Sequence, residues 1–470
     1  MASNTFNLAF DKHVPKADLP VSQQRQKWFW EFMKPFLVTV MLYSIMYFVR
    51  DDFKAAQPLL KTQLHLTTSQ LGLIGFAFSI AYGIGKVVVG YFMVGKDNKK
   101  CASIMLVAAS IVVACFGFFL TMEHVPMGWL LALWAINGVV QCSAGPCCSA
   151  VIANWTTKKN YGRYYGIWNA SHNIGGGLVG IFALWCANTF FHGKVAGMFI
   201  MPAIVAFIVG IICFFVGKNR PQDIGWESAE TIFDEPAKEE DTTGANESTW
   251  TIFRKYLLTN PLVWILCVSD VFAYVMRIGI DNWSSLRVTE QLGFSNEVGA
   301  QAILYFAMGS MVGCIIWGSL SDIMKGRPGL VSLICIGLTP IPLFIYQNGR
   351  TPMVVLISLF FLGMFVFGPQ VLIGISIVNQ VPKKATALAG GMMGCFGYLF
   401  GDSTAKVLLS RIADSAASGL NIFGHVLHGW GATFSVLYVA VICAFILQVI
   451  VAITEEKKIR RANKAKVTAQ

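Results

Sequence analysis

Asp234-Glu235-Pro236-Ala237-Lys238-Glu239-Glu240-Asp241-Thr242-Thr243-Gly244 lies at the centre of the one long polar stretch in this chain, about residues 218–260. On either side the sequence turns apolar and stays so. A bilayer core needs about 20 apolar residues per helix. Scanning outward finds twelve such runs, six before the stretch and six after it. They lie near 35–57, 69–94, 101–121, 127–153, 163–190 and 195–217, then 261–281, 298–321, 329–346, 352–379, 385–412 and 429–453. The stretch itself reads as a solvated linker with no specific partner. The expected organisation is a tail (1–34), a six-helix half (35–217), the linker (218–260), a second six-helix half (261–453) and a second tail (454–470).

Composition supports a bilayer rather than water as the solvent. The 470 residues are 55% hydrophobic and 13% charged, against about 25% charged in an ordinary soluble domain. A soluble globule would expose large apolar patches, and a disordered chain would need far more charge. The 12 cysteines fall in or beside apolar runs, without metal or redox spacing. They read as small apolar residues. The first 34 residues lack a short apolar segment with a cleavage site, so the first long run is itself expected to span.

Lys and Arg set the orientation. With the N-terminus inside, the inner loops and the two tails hold 26 of the 36 basic residues. The outer side holds Lys54, Lys61, Lys194, Arg287, Arg350 and Arg411. This bias predicts that both termini are cytoplasmic, and it makes the net charge of +11 a topogenic signal rather than a nucleic-acid footprint. Arg50, Lys86, Arg277 and Lys406 remain, in or bordering spans. A buried cation is costly unless something pairs with it, so these four point toward function.

The two halves resemble each other. Arg50 and Arg277 are 227 residues apart, Gly90 and Gly318 are 228 apart, Gly145-Pro146 and Gly368-Pro369 are 223 apart, and Lys158-Lys159 and Lys383-Lys384 are 225 apart. Landmarks at nearly one offset argue for duplication. Two six-helix halves with a site at the midplane form the major-facilitator architecture. Gly318-Ser319-Leu320-Ser321-Asp322-Ile323-Met324-Lys325-Gly326-Arg327 resembles the G-x-x-x-D-x-x-x-G-R loop of those transporters. Its first-half counterpart has Val94 where the acid would stand. The predicted fold is an all-α polytopic membrane protein of twelve transmembrane helices in two pseudo-symmetric halves.

Each intramembrane cation of interest has a phenol on its own helical face. Tyr43, Tyr47 and Arg50 are spaced by four and three, Tyr274 precedes Arg277 by three, and Tyr82 precedes Lys86 by four. Two readings of the arginines stand. An arginine pair suits an oxyanion, since guanidinium binds phosphate bidentately and two of them roughly neutralise a phosphate monoester. Alternatively each pairs with an acid: Asp51 or Asp52 beside Arg50, Asp270 or Asp281 near Arg277. His172, within Trp168-Asn169-Ala170-Ser171-His172-Asn173-Ile174-Gly175-Gly176-Gly177, is a candidate for substrate contact or gating. The glycines there read as close helix packing. Lys406, four after Asp402, reads mainly as a local ion pair. No Walker motif, metal-ligand cluster or nucleophile–base set appears, so neither an enzyme nor a cofactor or metal site is expected.

The stretch from Trp168 to Gly176, with Tyr47-Phe48-Val49-Arg50 and Tyr274-Val275-Met276-Arg277, resembles the organophosphate:phosphate antiporters, over about residues 26–461. The passages Gly75 to Lys86, Arg277 to Asp281, Phe365 to Gln370 and Glu455 to Arg461 are most similar to the hexose-6-phosphate members. Glycerol-phosphate members usually have Tyr where Phe367 stands. The resemblance implies an inner-membrane carrier, sufficient as a monomer, that exchanges sugar phosphate for inorganic phosphate across the bilayer. It places the essential arginines at Arg50 and Arg277, the binding Lys and His at Lys86 and His172, and cavity residues at Tyr43, Tyr47, Tyr82, Tyr274, Trp168 and Phe367. Gly390, Met393 and Ala307 replace residues that are often charged in the family, which puts sugar choice in question. A sensor of external sugar phosphate, acting with a signalling kinase, and a carrier of another organophosphate such as glycerol 3-phosphate or phosphoglycerate are the other readings.

Overall fold

A computed structural model of the chain describes residues 14–93, 96–122, 124–235, 249–324, 326–381, 385–414, 419–422 and 424–468. Val94, Lys238, Glu239, Glu240, Asp241, Lys325, Lys383 and Lys384 lie outside those residues, as does Lys12, one of the basic residues of the N-terminal tail. Before the polar stretch come α1 (Val21–Leu64), α2 (Thr68–Phe92), α3 (Asn98–Phe119), α4 (Met127–Gln141), α5 (Ala144–Trp155), α6 (Lys158–Phe190) and α7 (Gly197–Phe215). The stretch contributes a 3-10 turn at Pro221–Ile224 and two single-turn helices, α8 (Ala229–Ile232) and α9 (Thr249–Ile252), the latter running into a π-helical turn at Phe253–Leu258. Then follow α10 (Pro261–Asp281), α11 (Ser284–Glu290), α12 (Asn296–Ile323), α13 (Pro328–Leu338), α14 (Pro340–Asn348), α15 (Pro352–Val378), α16 (Thr386–Phe396), α17 (Ser403–Ala413) and α18 (Gly429–Thr468). A small antiparallel hairpin, β1 (Leu420–Ile422) with β2 (His425–Leu427), precedes α18.

Eleven helical segments among the described residues are long and apolar enough to cross a membrane. They correspond to eleven of the twelve expected runs. Two of them are broken helices. Pro146 lacks the N–H that would bond to the carbonyl four residues back, and α4 ends at Gln141. Pro340 likewise opens α14 just after α13 ends at Leu338. The remaining run, 385–412, is helical but divided: α16, a π-helical turn at Gly397–Asp402, and α17. Its interior carries the Asp402–Lys406 ion pair, 3.1 Å. All twelve cysteines are unbridged.

Two compact units form: Met1–Ala56 with Ala81–Glu240, and Gln57–Ile80 with Asp241–Gln470. In the first, Phe53, Trp134, Phe116 and Phe199 pack in a tilted chain with successive centroids 4.9–5.0 Å apart. Lys99 caps the end of α7, donating to the carbonyls of Cys213, Phe214 and Val216 at 3.2, 2.6 and 3.1 Å. Such donors satisfy the carbonyls a helix leaves orphaned at its C-terminus.

The second unit takes in the start of α2 because small residues there let α17 approach. A Cβ on Gly72 would lie 2.1 Å from Ser410 Oγ. The Ser69 N–H donates to Asp414 Oδ2 at 3.0 Å. Lys406 Nζ donates to Ser79 Oγ at 2.7 Å as well as to Asp402. The reading of Lys406 as an ion-paired residue therefore holds in the geometry. Arg287, counted among the outer-loop cations, is 3% exposed. Its guanidinium lies over Tyr346 and Phe434, 4.2 and 4.7 Å from the ring centres, and donates to Gln347 O at 3.1 Å.

Candidate functional site

In the first unit, α1 is distorted one residue before Arg50. Val49 has φ −96° and ψ 22°, outside the helical basin. The distortion frees the Val49 carbonyl from the helix ladder, and an unpaired carbonyl inside a membrane protein is expensive. Two side chains of α4 supply donors: Asn137 Nδ2 at 2.9 Å and Gln141 Nε2 at 3.0 Å. Gln141 Nε2 also donates to Asn137 Oδ1 at 2.8 Å. The other end of the same amide, Gln141 Oε1, accepts from Arg50 Nε at 3.0 Å. The kink, the two amides and the guanidinium form one network, all of it on α1 and α4.

Aromatic faces hold the rest of Arg50. Its guanidinium carbon is 4.6 Å from the ring centres of both Tyr47 and Tyr82, well inside the range of cation–π attraction. Lys86 Nζ lies 5.0 Å from the Tyr82 ring. On α6, Trp168 stacks on Tyr43 at 4.4 Å, and His172 sits 4.9 Å from Tyr47 and 5.5 Å from Tyr43. His172 Nδ1 bonds to the Asn169 carbonyl, which fixes the ring's orientation. Tyr43, Tyr47, Arg50, Tyr82, Lys86, Trp168 and His172 thus form one cluster.

The glycines after His172 let α6 approach α1. A Cβ on Gly175 would lie 1.9 Å from Ser44 O, and one on Gly176 would lie 2.4 Å from Asp51 Oδ2. Ser44 Oγ donates to Ser171 O at 2.8 Å. Close packing, as the sequence suggested, is their role. Asp51, offered as a partner for Arg50, is engaged by Lys54 at 2.9 Å.

In the second unit, Arg277 of α10 meets an analogous set. Arg277 Nη1 donates to Gln370 Oε1 at 2.7 Å. Its guanidinium carbon is 4.1 Å from the Phe367 ring centre and 6.0 Å from that of Tyr274. Tyr274 packs edge-on to Tyr398 at 5.3 Å. A Cβ on Gly397 or Gly401 would come within 2.7 or 2.5 Å of Tyr274 atoms. The π-helical turn therefore lies directly against the tyrosine that accompanies Arg277. Of the positions from the family pattern that have lost charge, Gly390 has nothing within 4 Å of a built Cβ, whereas Ala307 is buried.

Asn137, Gln141 and Gln370 were not singled out from the sequence. Two amides four apart in an apolar run were the available signal for the first pair. Gln141 and Gln370 are 229 residues apart, close to the offset of the other landmarks. In chemical terms, each guanidinium is oriented by a neutral amide oxygen and by aromatic faces. An amide accepts a hydrogen bond without contributing a cancelling charge, so it aims a cation at an anionic ligand without itself competing for it.

The Major Facilitator Superfamily model matches residues 36–402. The hexose-6-phosphate:phosphate antiporter of Escherichia coli K12 is 42% identical over 97% of this chain and 98% of its own length. A membrane sensor protein of the same organism is 31% identical over 81% of this chain and 85% of its own length. Among solved structures, a bacterial homologue of the human lysosomal transporter Spinster, in an inward-facing and unoccupied conformation, superposes with a TM-score of 0.63 at 15% identity, covering 89% of this chain and 95% of that one.

Proposed function

The chain belongs to the Major Facilitator Superfamily, and from that premise we propose that it exchanges an external sugar phosphate, foremost a hexose 6-phosphate, for internal inorganic phosphate. The near full-length 42% identity to the hexose-6-phosphate:phosphate antiporter supports this reading. The observation that carries it is the pair of amide-oriented arginines, Arg50 on Gln141 and Arg277 on Gln370.

In this reading the phosphoryl group engages both guanidiniums. A phosphate monoester carries about −1.5 to −2 at neutral pH, so one arginine leaves it under-neutralised and two nearly match it. With no anion bound, two like cations disfavour closure, so net leak is slow and exchange is favoured. This is alternating access coupled through charge. Lys86, His172, Tyr43, Tyr47, Tyr82 and Trp168 complete the recognition surface beside Arg50, and Tyr274 and Phe367 complete it beside Arg277. Twelve spans in two pseudo-symmetric halves (35–217 and 261–453), a cytoplasmic linker (218–260), cytoplasmic tails (1–34 and 454–470), a bacterial inner-membrane location and a monomeric carrier belong to the same reading. The duplicated landmarks and the distribution of Lys and Arg support it.

The test is counterflow in phosphate-loaded proteoliposomes with a panel of labelled organophosphates. Hexose 6-phosphates should exchange fastest. Arg50→Lys and Arg277→Lys should each lose most exchange, because an ammonium cannot reproduce the bidentate fork. Near-normal rates in both variants would defeat the two-arginine site. The 31% similarity to a membrane sensor keeps a receptor reading in play. Absence of counterflow for every organophosphate, together with specific binding, would favour it.

A further inference from the structure

We infer that the groove between α13 and α18 binds an anionic phospholipid of the surrounding bilayer. The groove encloses about 580 Å³. The two helices run antiparallel along it. The Gly329 N–H, at the start of α13, donates to Glu455 Oε2 at 2.9 Å, while a Cβ on Gly337 would lie 3.2 Å from the Phe445 ring.

The lining is graded along the helix axes. Val449 and Ile453 of α18 and Leu330 and Leu333 of α13 form an apolar wall. Arg327, Lys457 and Arg460 stand at the other end. Val449, Ile453, Lys457 and Arg460 follow one another at intervals of four, four and three, so they share one face of α18. From Val449 to Arg460 the helix rises about 16 Å, which is about one leaflet of a hydrocarbon core roughly 30 Å thick. Of that rise the apolar wall, Val449 to Ile453, takes about 6 Å, so a ligand filling this groove must be anionic at one end and apolar beyond it.

Charge decides the headgroup. The carboxylate of Glu455 takes the Gly329 N–H. That of Glu456 is shared by Arg327 at 3.0 Å and Arg460 at 3.2 Å. Three cations therefore stand against two engaged carboxylates. The surplus favours a lipid with net negative charge, such as phosphatidylglycerol, over a zwitterionic one, whose own ammonium group would meet these cations. A soluble anion would gain nothing from the apolar wall.

The full-length chain in detergent, titrated with phosphatidylglycerol or phosphatidylcholine of identical acyl chains and read by native mass spectrometry, tests the assignment. Phosphatidylglycerol should bind one-to-one and more tightly. Lys457→Gln combined with Arg460→Gln should weaken it about thirtyfold, from about 1 kcal/mol per cation, and leave phosphatidylcholine unchanged. Val449→Trp, which fills the groove and spares every charge, should weaken phosphatidylglycerol too. A large excess of inorganic phosphate should not displace the lipid. Equal binding of the two lipids overturns the inference, as does undiminished phosphatidylglycerol binding in either variant. Displacement by inorganic phosphate overturns it too, in favour of a soluble-anion site.

Discussion

Arg50 shows how a membrane protein keeps a cation at a defined place. Val49 leaves the helical basin, its carbonyl turns to Asn137 and Gln141, and Gln141 returns an acceptor to the guanidinium. A hydrogen bond to a charged group contributes about 1.5–3 kcal/mol. Gln141→Leu removes that acceptor and leaves the Val49 carbonyl with fewer donors. Exchange measured by counterflow should fall about tenfold or more, with the protein still folded. Gln141→Glu should be worse, because a fixed carboxylate beside Arg50 cancels the charge a phosphate needs. A Gln141→Glu carrier as active as Gln141→Leu would show that this amide does not matter through charge. The arginines were legible because a cation in an apolar run is conspicuous. The amides were not, because Asn and Gln occur in apolar runs for many reasons, and only the kink at Val49 explains these.

At the level of elements, glycine placement decides which helices touch. The ideal Cβ of Gly175 falls 1.9 Å from the Ser44 carbonyl oxygen, a backbone atom that cannot swing aside. Gly175→Leu should therefore force α6 off α1 and separate His172 and Trp168 from Tyr43 and Tyr47. Thermal unfolding in detergent should drop by many degrees and exchange should be lost. Gly391→Ala, with open space around the built Cβ, should leave the melting temperature within a degree or two. Comparable losses in the two variants would mean that the α1–α6 contact is not tight. The sequence predicted twelve spans. The breaks at Pro146 and Pro340 follow from local chemistry and could be read in advance. The π-helical turn at Gly397–Asp402 could not: an i to i+5 bond pattern has no sequence period of its own, and it sits where Gly397 and Gly401 must clear Tyr274.

For the whole molecule, the distribution of Lys and Arg makes a topological prediction. A protease or epitope reporter fused at either terminus should be accessible only from the cytoplasmic face of sealed vesicles. One inserted after Lys194, in a loop counted as outer, should be accessible only from the opposite face. Labelling of a terminus and of the Lys194 loop from one side would refute the orientation. The sequence by itself determined that the chain lives in a bilayer, how many apolar runs it has and which cations they contain. Hydrophobicity and charge are summed over many residues, and such sums survive ignorance of every contact. Tertiary structure alone decided what orients those cations, why residues 57–80 pack with the second unit, and which glycines are contact points. These depend on pairs of atoms brought within a few ångströms by distant parts of the chain, and no local pattern encodes such a distance.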